Sequence, residues 1–355
     1  MSGQEPLEPE DLEGLTEEER EQARDGLRLD QARRTNSELR RMNRFLTEEL
    51  KAQNEKIDLL LEVHAAPDKP YKIRSPKGGR KKTPVVSCSM ASDLHVEEVV
   101  DPKTVNGLNE HNLEIAEDKL FRYWRNVVRL VKKEQAEADI QTHIQWIGGD
   151  LFTGHIHEEF PEITELSPTQ AVLWLRPRIR DGIRFLRKEL DVPEILVPWS
   201  YGNHGRTTIR PRVATAADHS YEWMLGQIIA EDLKGDDGIK VLVANGYHLY
   251  VDCDGYTVRF HHGDWLNYQG GVGGLTIPLN KAIDSWNKTR PANLDVLGHW
   301  HQWMDLQYAL VNGSLIGFSP YALRIKARYE PPRQGFFLID LERKEKTGSF
   351  PVHVT

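Results

Sequence analysis

Apolar residues along this chain recur at two different spacings. Between Thr16 and about His64, Leu39, Met42, Leu46, Leu50, Ile57 and Leu60 return at threes, fours and one seven, in a proline-free stretch rich in Glu, Arg, Gln, Leu and Ala. That spacing predicts a long helix with a narrow apolar stripe, and Thr16 followed by Glu19 has the spacing of a capping box. The stripe is too thin to form a core alone. It needs a partner: a second copy in a coiled coil, another protein, or the rest of its own chain. Residues 1 to about 14 are acidic, contain Pro6 and Pro9, and read as disordered. From Ala65 to Thr83 the pattern breaks into prolines, glycines and the cations Lys69, Lys72, Arg74, Lys77, Arg80, Lys81 and Lys82, the composition of a basic linker able to touch phosphates. The expected division is an N-terminal segment 1–65, a linker 66–83 and a large domain 84–355.

Beyond residue 84, strand-like and helical runs alternate. Residues 84–90, 144–147, 195–197, 241–244, 248–251, 256–260 and 294–297 read as strands. About 113–138, 169–190 (interrupted or started by Pro177), 216–233 and 279–286 read as helices. The three runs from 241 to 260 look like a meander with Cys253-Asp254-Gly255 as a turn, and the tail 306–340 like further strands. Alternation of this kind predicts an α/β fold whose loops collect at one sheet edge.

Composition narrows the class. With 39% hydrophobic and 28% charged residues among 355, the balance is that of a soluble globular chain. A formal net charge of -8 argues against a globally basic nucleic-acid binder but leaves room for a local patch. Cys88 and Cys253 form no C-x-x-C pair, which fits a reducing compartment and offers no thiolate metal site. The polar N-terminus has no secretory pattern, and no apolar run approaches the roughly 18 residues of a membrane span. A cytoplasmic enzyme or binding protein is expected.

The chemistry lies at the strand ends. Asp93 and His95 follow the first run, Asp150 follows Gly148-Gly149, and Asn203-His204 follow Gly202. His262 precedes Gly263-Asp264, and His299 and His301 follow Gly298. Each cluster alone is common. Together, mostly after apolar strands and beside glycine, they form a mixed Asp, His and Asn set suited to two divalent ions of the manganese, iron or zinc type sharing one carboxylate. Gly154-His155-Ile156-His157 repeats the last pattern but follows Asp150 too closely to replace it. His262 is preferred to His261 because it precedes Gly-Asp; in a strand the two face opposite sides. The glycine run 270–274 lacks the Lys-Ser/Thr of a phosphate-cradling loop. Trp265, Tyr268 and Trp300 flank the set, where aromatics either stack on a base or simply pack.

The ordered motifs D-x-H, G-G-D, G-N-H, H-G-D and G-H-x-H resemble those of the calcineurin-like metallophosphoesterases, over residues 84 to the end. The resemblance implies a four-layer α/β/β/α sandwich, here preceded by the long N-terminal helix, with a dinuclear centre, manganese foremost. It implies that Asp93, His95 and His301 hold the first ion, that Asp150 bridges, and that Asn203, His262 and His299 hold the second. His204 would face the substrate and protonate the leaving oxygen. One feature departs from the family: an acidic residue usually follows the G-N-H histidine, and here Gly205 and Arg206 do. Either an orienting carboxylate comes from elsewhere, or His204 is tuned differently. Arg206 would then grip a substrate phosphate or make a structural salt bridge. The members it looks most similar to are the nuclease subunits of double-strand-break repair nucleases, so the expected activity is metal-dependent hydrolysis of nucleic-acid phosphodiesters. The alternative is a phosphomonoesterase or nucleotide phosphatase on the same scaffold.

Overall fold

Strand β2 (Thr83–Ala91) is buried along nearly its whole length, as a central strand must be. The computed structural model describes residues 16, 26, 32–33, 35–45, 48, 69–75, 82–267 and 274–355. The chain divides into two units, Met1–Val63 and His64–Thr355. In the first, residues 35–45 are helical and Leu39, Met42 and Phe45 are exposed. The other stripe positions (Leu46, Leu50, Ile57, Leu60) and Glu19 lie outside the described residues, so the long helix and its pairing are not seen.

The second unit is built on two six-stranded mixed sheets. In the first, β2 lies between β11 (Arg333–Asp340) and β3 (Ala138–Ile147). Outside these come β12 (Glu345–His353) on one side and β4 (Glu194–Trp199) then β5 (Ile239–Val243) on the other. The second sheet runs β1 (Tyr71–Ile73), β6 (Leu249–Cys253), β7 (Tyr256–Phe260), β8 (Leu294–Leu297), β10 (Ala309–Val311), β9 (Met304–Asp305).

Alternation along β2 separates two cores. Val86, Cys88 and Met90 enter the space between the sheets with Ile144, Trp146, Val251, Val258, Phe260 and Val296. Val85 and Ala91 join the opposite core, formed with α1 (Leu113–Glu134), α3 (Pro168–Glu189) and α4 (Tyr221–Leu233) through Leu120, Val127, Leu175, Ile183, Leu225 and Ile229. A third cluster covers the far face of the second sheet with Leu279 and Ile283 of α5 (Thr276–Asn287) against Leu297 and Val311. The layers are therefore helix, sheet, sheet, helix.

Several local expectations change. The helix from 168 runs on through Pro177; the buried face of Ala171, Val172, Leu175, Ile179, Ile183 and Leu186 outweighs an interior proline's cost of about 3 kcal/mol. The predicted meander is split: β5 pairs with β4 at the edge of the first sheet, while β6 and β7 form a hairpin in the second. Its turn residues, Asp254 and Gly255, both have positive φ, as tight hairpins require. Part of the predicted linker is structured: β1 pairs in parallel with β6, buries Ile73, and its Tyr71 hydroxyl donates to Glu194. The tail contains a short helix α6 (Pro320–Arg324) besides strands, and it ends in β12.

Candidate metal centre

Loops after β2, β3, β4, β7 and β8 meet at one edge of the sandwich. They are stitched by backbone bonds: Asp93 N donates to Gly149 O (2.9 Å), Leu94 N to Asp150 O (2.8 Å), and Gly298 N to His262 O (2.8 Å). Nine described non-glycine residues have positive φ, and five of them are Asp93, His95, Asp150, His299 and His301. Unfavourable backbone concentrated at the ligand-type residues marks a built site rather than ordinary turns. Two glycines make room for carboxylates. A Cβ at Gly202 would fall 2.1 Å from Asp150 Oδ1, and one at Gly298 would fall 2.3 Å from Asp93 Oδ2.

Among the described residues, three groups of side chains are close enough to hold an ion: Asp93, His95 and His301; His95, Asp150 and His204; and Asp150, His262 and His299. Within each group the ligand atoms lie within 4.8 Å of one another, and Asp150 belongs to two of the groups. The donors are hard carboxylates and borderline imidazoles, fitting first-row divalent ions. Among the described residues, the buried side-chain atoms that lack a hydrogen-bond partner include His95 Nε2 and Asn203 Oδ1. Buried polar atoms are normally satisfied, so orphans on two ligand-type residues point to an ion. His262 adds a third sign. Its Nδ1 meets the Gly148 carbonyl at 2.7 Å, and a carbonyl only accepts, so Nδ1 carries the proton. Nε2 then faces Asp150 Oδ2 at 2.9 Å, lone pair against carboxylate, a contact that requires a cation between them, proton or metal.

The electrostatics agree. Burial pulls His95 well down and His299 to about 3, leaving both neutral, the form that binds metal. Burial opposes ionisation of Asp150, but the His262 and His204 charges hold its carboxyl well below the usual range. Asp93 is fixed by Ser92 Oγ on Oδ2 (2.5 Å) and by His299 N on Oδ1 (2.8 Å), with His301 Nε2 3.4 Å from Oδ1.

His204 is oriented by a backbone carbonyl rather than by an acidic neighbour in sequence. Its Nδ1 donates to Thr153 O (2.8 Å), and its backbone N donates to Asp150 Oδ1 (2.8 Å). Nε2 is thereby aimed at the centre, 4.0 Å from Asp150 Oδ2. Phe160 of α2 (Phe160–Ile163) stacks on the ring at 5.5 Å. Arg206 makes no structural salt bridge: among the described residues it has no carboxylate partner, and its guanidinium turns back on its own loop, donating to Asn203 O (2.7 Å), Thr208 O (3.1 Å) and Ile209 O (3.3 Å).

Four supporting residues escaped the sequence reading. Glu222 of α4, fully buried, accepts from Leu151 N (2.6 Å), Gly202 N (2.6 Å) and Asp150 N (3.2 Å), so one carboxylate ties the Asp150 loop to the Asn203 loop. Thr153 is a second hub. Its N donates to Glu97 Oε1 (2.8 Å), its hydroxyl pairs with His95 Nδ1 (2.8 Å) and donates to Glu98 Oε2 (2.8 Å), and its carbonyl holds His204. Glu97 and Glu98 sit two and three residues past His95, a signal the sequence did contain. Thr153 and Glu222 carry no local signature.

The remaining sequence candidates fall outside the groups. His261 turns to Asp295 (3.2 Å), which Arg259 grips at 2.7 and 2.9 Å in the second-sheet core. His155 and His157 are exposed. Trp265 stacks on Tyr247 at 3.9 Å, and Trp300 lies edge-on to His299. Tyr268 and most of the glycine run lie outside the described residues.

No protein-family model matches the chain, and no curated protein gives a significant match. Among solved structures it is similar to a Thermus thermophilus sulfate thiohydrolase, SoxB, in complex with glycerol, at 12% identity and a TM-score of 0.27. That alignment covers 79% of this chain and 58% of the other, so the chain spans little more than half of SoxB's length. A hypothetical protein from Thermus thermophilus matches at 10% identity and a TM-score of 0.26, over 75% of this chain and 97% of that one. Likeness at this level defines no family. Fold and site define the class instead: an α/β sandwich whose converging loops carry Asp and His groups that could hold metal ions. Among the described residues no helix is long and apolar enough to cross a membrane.

Proposed function

We propose that this protein is a dinuclear-metal-dependent phosphodiesterase acting on nucleic acid. The observation that carries the reading is Asp150, common to two ligand groups, with the oriented Nε2 of His204 4.0 Å away. Asp93, His95 and His301 would hold one ion; Asn203, His262 and His299 would hold the other, with Asp150 between them. When bound, such ions lower the pKa of water and neutralise phosphoryl oxygens. The chain's own residues do the rest. The Thr153 carbonyl fixes the Nδ1–H tautomer of His204, so Nε2 is the atom that accepts and releases a proton in the centre. Once protonated, it delivers that proton to the leaving oxygen. Phe160 on the ring face limits its rotation.

The test is turnover of bis(p-nitrophenyl) phosphate against p-nitrophenyl phosphate by the full chain with manganese. The diester is expected to be the better substrate. His204→Ala is expected to lower turnover by about 10²-fold or more while keeping the metal content. Turnover of the monoester alone would replace this reading with the phosphomonoesterase one.

A further inference from the structure

We propose that two cationic loops on either side of the ligand groups form a track for single-stranded nucleic acid crossing the centre, a reading that rests on the phosphodiesterase function above. The first loop leaves directly from Asn203. It is closed at its base by Thr207 N donating to His219 O (2.8 Å) and by the Arg206 clamp on the Asn203 carbonyl. With that side chain tied back, Arg210 and Arg212 are the exposed cations, and Arg212 and Asn203 line one concavity together with Asp264. Residues 204–219 contain three arginines against one acid, Asp218 at the base of the loop.

The second loop lies on the His301 side. Gln302 donates to Arg328 O (3.1 Å), and Trp303 N donates to the Glu330 carboxylate (2.9 Å), which fixes residues 320–329 beside the His299–His301 loop. Arg324, Lys326 and Arg328 are exposed, and residues 319–329 contain no acid. None of the five cations has an ion pair or side-chain hydrogen bond among the described residues. Three arginines of α3, by contrast, are neutralised: Arg176 by Asp232 (2.6 Å), Arg178 by Glu117 (2.8 Å), Arg184 by Asp236 (2.7 Å).

A chain of net charge -8 repels a polyanion at long range, so binding needs unpaired cations near the reacting centre. The second loop also displays Tyr321 and Tyr329, 64% and 52% exposed, among its cations. Tyrosine faces stack on unpaired bases, whereas a duplex keeps its base faces inside. That combination selects a single strand.

The experiment measures anisotropy of a labelled oligodeoxythymidylate with the full chain in EDTA over a salt series. The variants are Arg210→Gln/Arg212→Gln, Arg324→Gln/Lys326→Gln/Arg328→Gln, and all five together. Each set is expected to weaken binding several-fold or more. The fivefold variant is expected to flatten the slope of log affinity against log salt by up to about 3.5, about 0.7 per phosphate contact. Turnover of bis(p-nitrophenyl) phosphate with manganese should stay at the wild-type level in every variant. Unchanged affinity and slope in the fivefold variant would overturn the track and leave the phosphodiesterase reading standing. Equal or tighter binding of a duplex of the same length would overturn the single-strand assignment. Loss of oligonucleotide binding in variants of a protein that turns over no diester would keep the track and remove the proposed function.

Discussion

Replacing Thr153 with valine removes one hydroxyl from a fully buried site at nearly constant shape. In the wild type that hydroxyl accepts from His95 Nδ1 at 2.8 Å and donates to Glu98 Oε2 at 2.8 Å. Thr153 is 0% exposed, His95 2% and Glu98 8%, so water cannot replace either bond cheaply. Leaving a buried donor or acceptor unsatisfied costs about 1 to 3 kcal/mol, so two such losses predict a destabilisation of about 2 to 6 kcal/mol. His95 also loses the partner that fixes its ring. Loss of an outer partner of a metal-binding histidine weakens metal affinity by about 10- to 100-fold. The backbone carbonyl that holds His204 remains in Thr153→Val, so proton delivery at saturating metal should be largely retained. Urea unfolding in EDTA reads the stability term, and calorimetric titration with manganese reads the affinity. Thr153→Ser restores the hydroxyl and should recover most of the metal affinity. A valine variant within about 0.5 kcal/mol of wild type with unchanged manganese affinity would refute the hub.

Other outcomes follow from the same geometry. Gly202→Ala places a Cβ 2.1 Å from Asp150 Oδ1, which must shift; a loss of about 1 to 3 kcal/mol in urea unfolding and weaker manganese binding are expected. His143 is buried between Ser87 and Ser89, bonded through both ring nitrogens (2.8 and 2.9 Å), and burial pulls it down to about 3. The unfolded chain therefore takes up this proton below about pH 6.5 while the folded chain resists it until about pH 3. This group's contribution to stability is full above about pH 6.5 and is lost as pH falls, at up to about 1.4 kcal/mol per pH unit. Stability measured between about pH 6 and pH 4 should fall more steeply in wild type than in His143→Gln; equal slopes would contradict it.

What the sequence made legible was whatever has a local signature. Glycine beside Asp or His at the end of an apolar run singled out Asp93, His95, Asp150, His262, His299 and His301, which the fold brings into groups that could hold an ion, because strand-end loops need sharp backbone turns. The layered α/β character followed from alternating periods. Pairing across long distances was not legible: β5 and β6 are close in sequence but belong to different sheets, which hydrophobic runs of similar length cannot reveal. β1 is three residues long and embedded in cations, too short for a period to show. Pro177 was read by a local rule that helix packing overrode. Arg206 was recognised as unusual, but its target is carbonyl oxygen, which sequence does not display. Thr153 and Glu222 act only through their place in space.

The decisive measurement is the number of manganese ions bound per chain, by calorimetry and elemental analysis after dialysis, in wild type and in Asp150→Ala. Two ions in wild type and loss of both in the variant are predicted, because Asp150 shares one group with His262 and His299 and another with His95, itself a member of the Asp93 and His301 group. Wild type binding no ion, or a variant that still holds two, would contradict the dinuclear centre.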